Sequence, residues 1–548
     1  MKRIIFGAFA LLPMLGPGAA VADVINVPGD FAQIHAAVQA AAAGDTVQVA
    51  AGTYTDCTHE TEGPGSTPAC VIMRPGVTLR GAGPDATVID AETLGRGIFV
   101  HDTDGVVIED LQVRNAYAEI YGAGILIRQG STGAVLRNLK IQTNGDGGIV
   151  VINNASASLT DVSFVQNAAK QGGGLAVEET STASVTDCIF DRNVAPSGGG
   201  IFVRTGCTVD ITGSTFVDNA VNADFGNGGA VCVQDSECNI SGCTFTGNST
   251  RGGGGGLAYV STATGIVENC ELVGNRTAAS YNYGGGITCQ QSAPIFRNLL
   301  LVGNTANTTG SDGGAIDIQF NPAPTIEHCT LVDNSCSGDG FGGGVLVQWG
   351  AKPSIANCII ASSTAGAGLA CVFSDSATVT GCDIWDNAGG DAVCGLDGGC
   401  NFSADPLFCD VVGGNYRVEP ASPCAAGNHP AGGGCGASYV GAYPAGCGTA
   451  VGEVPHAGIV LGNLPNPFNP HTTIFFTLDV PGDVVVRIHD VRGRTLRTFA
   501  RSDVPAGVRH EFTWDGRDQA GRALSSGVYL YRLESRGVAT TKRMSLIR

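Results

Sequence analysis

Aromatic side chains make up only 6% of this sequence and charged ones only 14%. With 82 glycines in 548 residues, the chain does not read as a row of ordinary globular domains. Basic residues are scarce where the chain is longest. Residues 23–451 carry 15 basic and 40 acidic side chains, a balance near −25, whereas residues 452–548 carry 13 and 9. That field excludes nucleic acid and anionic membrane as partners of the long region. Lysine occurs there only at Lys140, Lys170 and Lys352, so a lyase-type base in it would be an arginine such as Arg128 or Arg204. Cys-x-x-Cys pairs and Asp-x-Asp-x-Asp-Gly runs are missing, which removes the common zinc and EF-hand readings. Long apolar runs are missing too, beyond the first residues, so no transmembrane segment is expected.

Residues 1–22 combine Lys2 and Arg3, an apolar run from Ile4 to Leu15, and Ala20-Val21-Ala22 before Asp23. This is the pattern of a secretory signal peptide, and it places the protein outside the cytoplasm, secreted or on an outer surface.

What the sequence has in abundance is one repeated phrase. Gly198-Gly199-Gly200 leads into Ile201-Phe202-Val203, and the same apolar strand returns at Ile98, Ile125, Ile149, Leu175, Val231, Leu257, Ile287, Ile316, Val345 and Leu369, spaced 24 to 30 residues apart. An asparagine keeps step with it at Asn144, Asn167, Asn193, Asn219, Asn248, Asn275, Asn304, Asn334 and Asn387. Phase-locking at this period predicts a solenoid, each coil burying its apolar face against its neighbours. Two further strands fit each copy, as in Val209-Asp210-Ile211 and Ser214-Thr215-Phe216-Val217. Eleven coils at ~4.8 Å each would make a rod roughly 50 Å long.

Ahead of the coils, Asp30 to Ala43 places Phe31, Ile34, Ala37, Val38 and Ala41 at helical spacing, and Thr46-Val47-Gln48-Val49 alternates as a strand. A short helix there would cover the open end of the solenoid. The order of helix, GDTVQV, AGTY and glycine-punctuated coils resembles the right-handed parallel β-helix proteins of the pectin-lyase-like superfamily, over roughly residues 26–446. The resemblance implies an all-β, right-handed parallel β-helix with an N-terminal capping helix. It also implies that any catalysis, as a polysaccharide lyase or glycoside hydrolase acting on an acidic polysaccharide, would use calcium with an Arg or Lys base, or a set of close aspartates.

The twenty cysteines divide. Cys188, Cys243, Cys270, Cys329 and Cys382 stand five residues before a closing asparagine, Cys358 is at the matching place, and other coils have Leu, Val or Ser there. A slot that accepts all four residue types is a small core slot, so a buried ladder is expected over a ligand or nucleophile set. Cys57 and Cys70 bracket a Gly/Pro-rich loop and suggest its closure. Cys394, Cys400, Cys409, Cys424, Cys435 and Cys447 cluster where the repeat fades, and most are expected to be bridged into a carboxy-terminal cap. The asparagines are expected to form a ladder, using the tolerance of Asn for unusual backbone angles at turns.

Alternation puts one polar stripe on the outside of the glycine-preceded strands. Its ligand-binding candidates are Arg128, Glu178, Arg204, Gln234, Gln290, Gln319 and Gln348, with Trp349 next to the last. Phe320 and Phe373 occupy the place of Trp349 in the coils on either side. Such a stripe would hydrogen-bond a polysaccharide or cell-surface glycan lying along the axis; the alternative is a solvated sheet face with aromatics stacked in the following turn. No catalytic residue and no metal site is assigned. Asn144-Gly145-Asp146-Gly147 looks like one of four polygalacturonase elements, but the other three are missing, so Asp146 reads as a turn residue. Asp102 and Asp104 read as a surface turn rather than a calcium site. Apart from calcium, no cofactor is called for.

Residues 447–458 form a small-residue linker, and the pattern changes beyond them. Six alternating segments, 472–478, 484–490, 496–499, 510–514, 528–534 and 541–547, predict a small β-sandwich. Pro465-Asn466-Pro467-Phe468-Asn469-Pro470 and the stretch from Thr513 to Ser535 resemble the Ig-like domain shared by flagellar hook-capping proteins and type IX (type A) sorting domains. The resemblance implies that residues 459–548 sort or anchor the protein through outer-membrane secretion machinery; the alternative is a plain spacer. The expected function is a non-catalytic binding or adhesive rod, with the carbohydrate-active enzyme as the other reading.

Overall fold

In the computed structural model the described residues are 22–61, 67–118, 124–278, 283–306, 313–320, 322–336, 341–372, 377–411, 414–432, 435, 438–447, 459–464, 468–478, 481–490, 494–505, 509–535 and 538–546. Almost all of the signal-peptide candidate and of the linker lies outside them.

A single coil shows how the sequence produces the solenoid. Ile201–Arg204 is followed by Thr208–Thr212 and Thr215–Val217, and a two-residue strand, Ala220–Val221, completes the turn. The bend between the second and third strands is made at Gly213 (φ +61°), and the corner after the third at Asp218 (φ +52°). Other coils put Asp187, Gly242, Asn269 or His328 at the first bend and Arg192, Gly247, Gly274 or Asp333 at the second, all left-handed. The closing asparagine follows this second corner rather than occupying it, so its expected role in backbone geometry belongs to its predecessor.

The coils pair in parallel and in register, as Ile201 with Val231 and Val209 with Cys238 show, with one register shift where Gly342–Gln348 meets Ala367–Cys371. The glycine-preceded strands form one 12-stranded sheet, and the second and third strands together form a 26-stranded one. The 12-stranded sheet begins at Ala69–Ile72, one coil before the first copy of the repeat. The helix spans Ile34–Ala40, shorter than its pattern, and buries Ile34, Ala37 and Val38 at the head of the core. Val24–Val27 pairs with Thr46–Val49 and starts the solenoid.

Inside, like stacks on like. Phe164, Phe190, Phe216 and Phe245 are stacked at centroid separations of 4.5, 4.7 and 4.7 Å, each contact contributing ~0.5–1.5 kcal/mol beyond burial. The ladder cysteines are buried free thiols. The backbone N–H of Cys243 donates to Cys270 Sγ at 3.4 Å, and that of Cys329 to Cys358 Sγ at 3.4 Å. Burial pushes the Cys188 thiol up to about 12, so it is no nucleophile. The asparagine ladder is continuous from Asn144 to Asn334, with side-chain amides linked at 2.9 to 3.0 Å.

The cysteine-rich segment has two parts. Leu396–Asp397 pairs with Thr378–Thr380, and Phe402 bridges to Asp383, which extends the last coil. The chain then returns along the side of the solenoid. Tyr416 packs on Leu300, Val302 and Val332, while Val418, Cys424 and Val440 pack on Ile359 and Ala361, over the outward face of the third strands. Disulfides join Cys371 to Cys394, Cys400 to Cys435 and Cys409 to Cys447, and Cys57 to Cys70 closes the loop near the head. Cys424 is a free buried thiol; the partner of Cys394 is Cys371, in the last strand of the 12-stranded sheet.

Residues 459–546 form two antiparallel sheets. One orders Ile459–Leu464, Thr472–Leu478 and Arg509–Trp514; the other holds Gly482–Asp490, Thr495–Val504, Gly527–Ser535 and Val538–Leu546. Trp514, Phe476, Ile488, Tyr531 and Met544 fill the space between. Ile459–Leu464 is the strand not anticipated from its sequence.

Candidate functional site

The outward face of the 12-stranded sheet differs from the rest of the solenoid surface. On the second strands, outward Ser184, Asp210 and Thr212 are exposed, as sheet alternation demands. On the 12-stranded sheet the first outward position is buried in coil after coil: Phe99, Leu126, Val150, Ala176, Phe202, Cys232, Ala258, Thr288, Asp317 and Leu346. The cause is the glycine run. It turns back over the strand it precedes, so that a Cβ on Gly198 would lie 2.2 Å from the carbonyl oxygen of Ile201. Elsewhere Gly284 donates its N–H to Thr288 Oγ1 at 2.9 Å. Only a residue without a side chain allows this approach.

The second outward position is the predicted stripe, and the register confirms it as a ladder: Glu178 pairs with Arg204, then Gln234, Val260, Gln290, Gln319 and Gln348 follow in order. It is not the flat open stripe expected. Glu178, Gln319 and Gln348 are buried, whereas Arg128, Arg204, Gln234, Gln290 and Trp349 are half-buried. The folded-back glycine runs, invisible to strand alternation, make a roofed groove of it. Phe320 and Trp349 stand at left-handed corners (φ +67° and +54°) and stack at 4.7 Å; Phe373 lies outside the described residues.

The groove separates into two chemistries. At the end nearer the head, Arg204 Nη2 donates to Glu178 Oε2 at 2.6 Å. The Gln171 amide, oriented so that its nitrogen donates to Glu178 and its oxygen accepts from Arg204 Nη1, completes that pair. Arg128 has no such counter-ion among the described residues, and its buried Nε has no acceptor. Beside it, Arg96 is buried and held down to about 10, by burial first and then by the charge of Arg128. Asp146 sits in a turn, as expected, but is buried: burial pushes it up to about 6 against the opposing pull of Lys170 and Arg96. At the far end, both oxygens of buried Asp317 accept amide N–H groups, from Gln319 Nε2 at 2.7 Å and Gln348 Nε2 at 2.9 Å.

Sequence reasoning passed over Arg96, Lys170 and Asp317. Asp317 carried a usable signal, being a carboxylate at the position where the adjacent coils have Thr288 and Leu346 and earlier ones Phe202, Cys232 and Ala258. Asp104 Oδ1 accepts from the N–H and hydroxyl of Thr132 at 2.8 and 2.6 Å. Among the described residues no group of three or more His, Cys, Asp or Glu is placed to hold a metal ion, and no helix is long and apolar enough to cross a membrane.

No curated protein matches the chain. Among solved structures, dimeric latent PorU from Porphyromonas gingivalis is 27% identical over 18% of this chain and 10% of its own, with a TM-score of 0.15. The PL6 family alginate lyase AlyGC is 16% identical over 70% of this chain and 54% of its own, with a TM-score of 0.43. Pectate lyase Pel9A is 15% identical, with coverages of 78% and 98% and a TM-score of 0.32. This chain thus spans about a tenth of PorU and about half of AlyGC. Family models match residues 86–235 and 222–345 as a right handed beta helix region and residues 471–537 as a FlgD Ig-like domain. The chain is therefore a right-handed parallel β-helix protein that carries a FlgD Ig-like domain near its C-terminus.

Proposed function

We propose that this is an exported β-helix whose roofed groove binds an acidic glycan, without cleaving it, and whose C-terminal module delivers it to the outer surface. The observation that carries the reading is Arg128. A half-buried guanidinium without a counter-ion, beside the buried Arg96, is a poor arrangement unless an anion completes it. The net charge near −25 of the region repels an anion at long range, so the attraction is local to Arg128 and Arg96 and is helped by salt screening. A carboxylate or sulfate on a sugar chain supplies two parallel acceptors of the right shape.

Arg128→Ala is expected to lower retention on immobilised polygalacturonate or alginate about tenfold or more, since a charge-assisted hydrogen-bonded pair contributes ~1.5–3 kcal/mol. Equal retention of parent and variant would dispose of the groove. Catalysis is the second reading, favoured by Asp146, whose carboxyl stays protonated up to about pH 6 beside Lys170 and Arg96. Release of unsaturated or reducing ends from the same polymers, with and without calcium, separates the two.

The export half of the reading has its own test. The pattern of residues 1–22 and the match of residues 471–537 to a FlgD Ig-like domain support it. Deleting residues 459–548 is expected to leave the coils folded but held in the periplasm; normal surface delivery of the shortened chain would assign the module a spacer role.

A further inference from the structure

The helix at the head is clipped to the 12-stranded sheet by two of its side chains, which take both backbone groups of one residue. Ile72 ends the first strand of that sheet. Its carbonyl oxygen accepts from Gln39 Nε2 at 2.9 Å, and its N–H donates to His35 Nδ1 at 3.3 Å. An imidazole that accepts at Nδ1 is neutral and carries its hydrogen on Nε2. Protonation puts a second hydrogen on Nδ1, so two donors then face each other and the clip is lost. The surroundings of His35 oppose its charge as well. Its ring lies on that of His59, with centroids 3.7 Å and planes 14° apart. Burial first and then His59 hold His35 down to about 4, against the weaker opposing pull of Asp56, whose Oδ2 lies 3.5 Å from His59 Nε2. Tyr54 shares with His35 and Asp56 a cavity of about 220 Å³ between the helix and the first strand, which leaves room for water beside the ring. The strand adds Cys70 to its lining, which is bridged to Cys57 and does not titrate.

We infer that the helix Ile34–Ala40 is an acid-released plug: His35 latches it to Ile72 at neutral pH, and a proton on Nδ1 lifts it from the head of the solenoid and bares the first strand. The movement is local. Val24–Val27 and Thr46–Val49 hold both ends of the helical segment in the 26-stranded sheet. The Cys57–Cys70 disulfide and the bridge of His59 to Ala69 keep His59 on the strand that the helix leaves. The docked form holds His35 below its ordinary value of 6.5, so release takes up a proton. Docking is therefore complete above about pH 6.5 and weakens as the pH falls from there toward 4. The ring is half-buried, and solvent screens part of the effect.

Hydrogen–deuterium exchange of the full chain tests this, read on peptides covering residues 30–43 and corrected for the pH dependence of intrinsic exchange, with peptides from residues 201–217 as the internal reference. Protection of 30–43 is expected to fall about tenfold or more between pH 7 and pH 5 while the reference keeps its own. His35→Gln offers Ile72 an uncharged acceptor at any pH and should hold the protection of 30–43 constant over that range. His59→Phe keeps a stacked ring without its charge and should make the fall shallower. The latch is wrong if protection of 30–43 in the parent is flat from pH 7 to pH 5, or if the reference falls with it. It is equally wrong if His35→Gln loses protection in acid as the parent does. Should His35→Gln leave the reference unprotected, the parent profile and His59→Phe decide: a fall of the same steepness in His59→Phe overturns the latch.

Discussion

Asn219→Leu is expected to lower the stability of the coil region by about 4 kcal/mol, read as a fall in the urea midpoint of the full chain. Asn219 accepts at Oδ1 from the backbone N–H and the Nδ2 of Asn193, both at 3.0 Å. It donates from Nδ2 to the carbonyl oxygen of Phe190 at 2.8 Å and to Asn248 Oδ1 at 3.0 Å. Leucine fills the space but strands the Asn193 N–H and the Phe190 carbonyl, both buried, at ~1–3 kcal/mol each. The break also falls in mid-ladder, where each coil holds its neighbours only through the shared interface. Amide exchange should therefore rise first in the coils flanking residue 219. A midpoint shift equivalent to less than about 1 kcal/mol would mean that the ladder amides do no better than water would.

This ladder was legible in the sequence because a solenoid repeats its own environment. Counting from Asn219 to Asn248 is the same act as stepping from one coil to the next, and the cysteine slot, the inward Ile201 and Val203, and the polar stripe all follow by offset. Features outside the repeat were not legible this way. Ala69–Ile72 forms a coil without the glycine run or the closing asparagine, so nothing marked it. The burial of Glu178 and Gln348 depends on a loop folding back over a strand, and alternation has no term for that. Pairing of Cys371 with Cys394, leaving Cys424 free, depends on where the last strand of the sheet ends. The return of residues 416–447 along the flank is a long-range contact between an irregular segment and residues as distant as Glu271.

That flank is where pH is expected to act most strongly. Raising the pH from about 5 to about 9 should loosen residues 408–447 from the coils while the solenoid stays folded. Two carboxyls lie beneath the segment. Burial pushes Glu271 up to about 8, and the Tyr443 hydroxyl donates to it at 3.4 Å. Burial also pushes Asp383 up to about 7, with Asp391 and Asp405 adding to the rise, and the Cys424 thiol donates to it at 3.2 Å. Both values lie above those of the exposed groups, so the docked form binds protons that the undocked form releases. The resulting stabilisation is complete below about pH 4 and is lost as the pH climbs through 7 to 8. At ~1.4 kcal/mol per unit, Glu271 alone accounts for roughly 5 kcal/mol of that loss. The Cys409–Cys447 bond keeps the segment folded on itself, while Cys400–Cys435 ties it to the extension of the last coil, so it should open as a tethered flap. Proteolysis at Arg417, which lies over the Tyr443 ring, reports the opening. Cleavage there should rise steeply between pH 6 and 9 in the parent and stay low in Glu271→Gln with Asp383→Asn, whose uncharged amides keep the segment docked throughout. Cleavage that rises toward acid instead, or that rises equally in the double variant, would show that these carboxyls do not govern the contact.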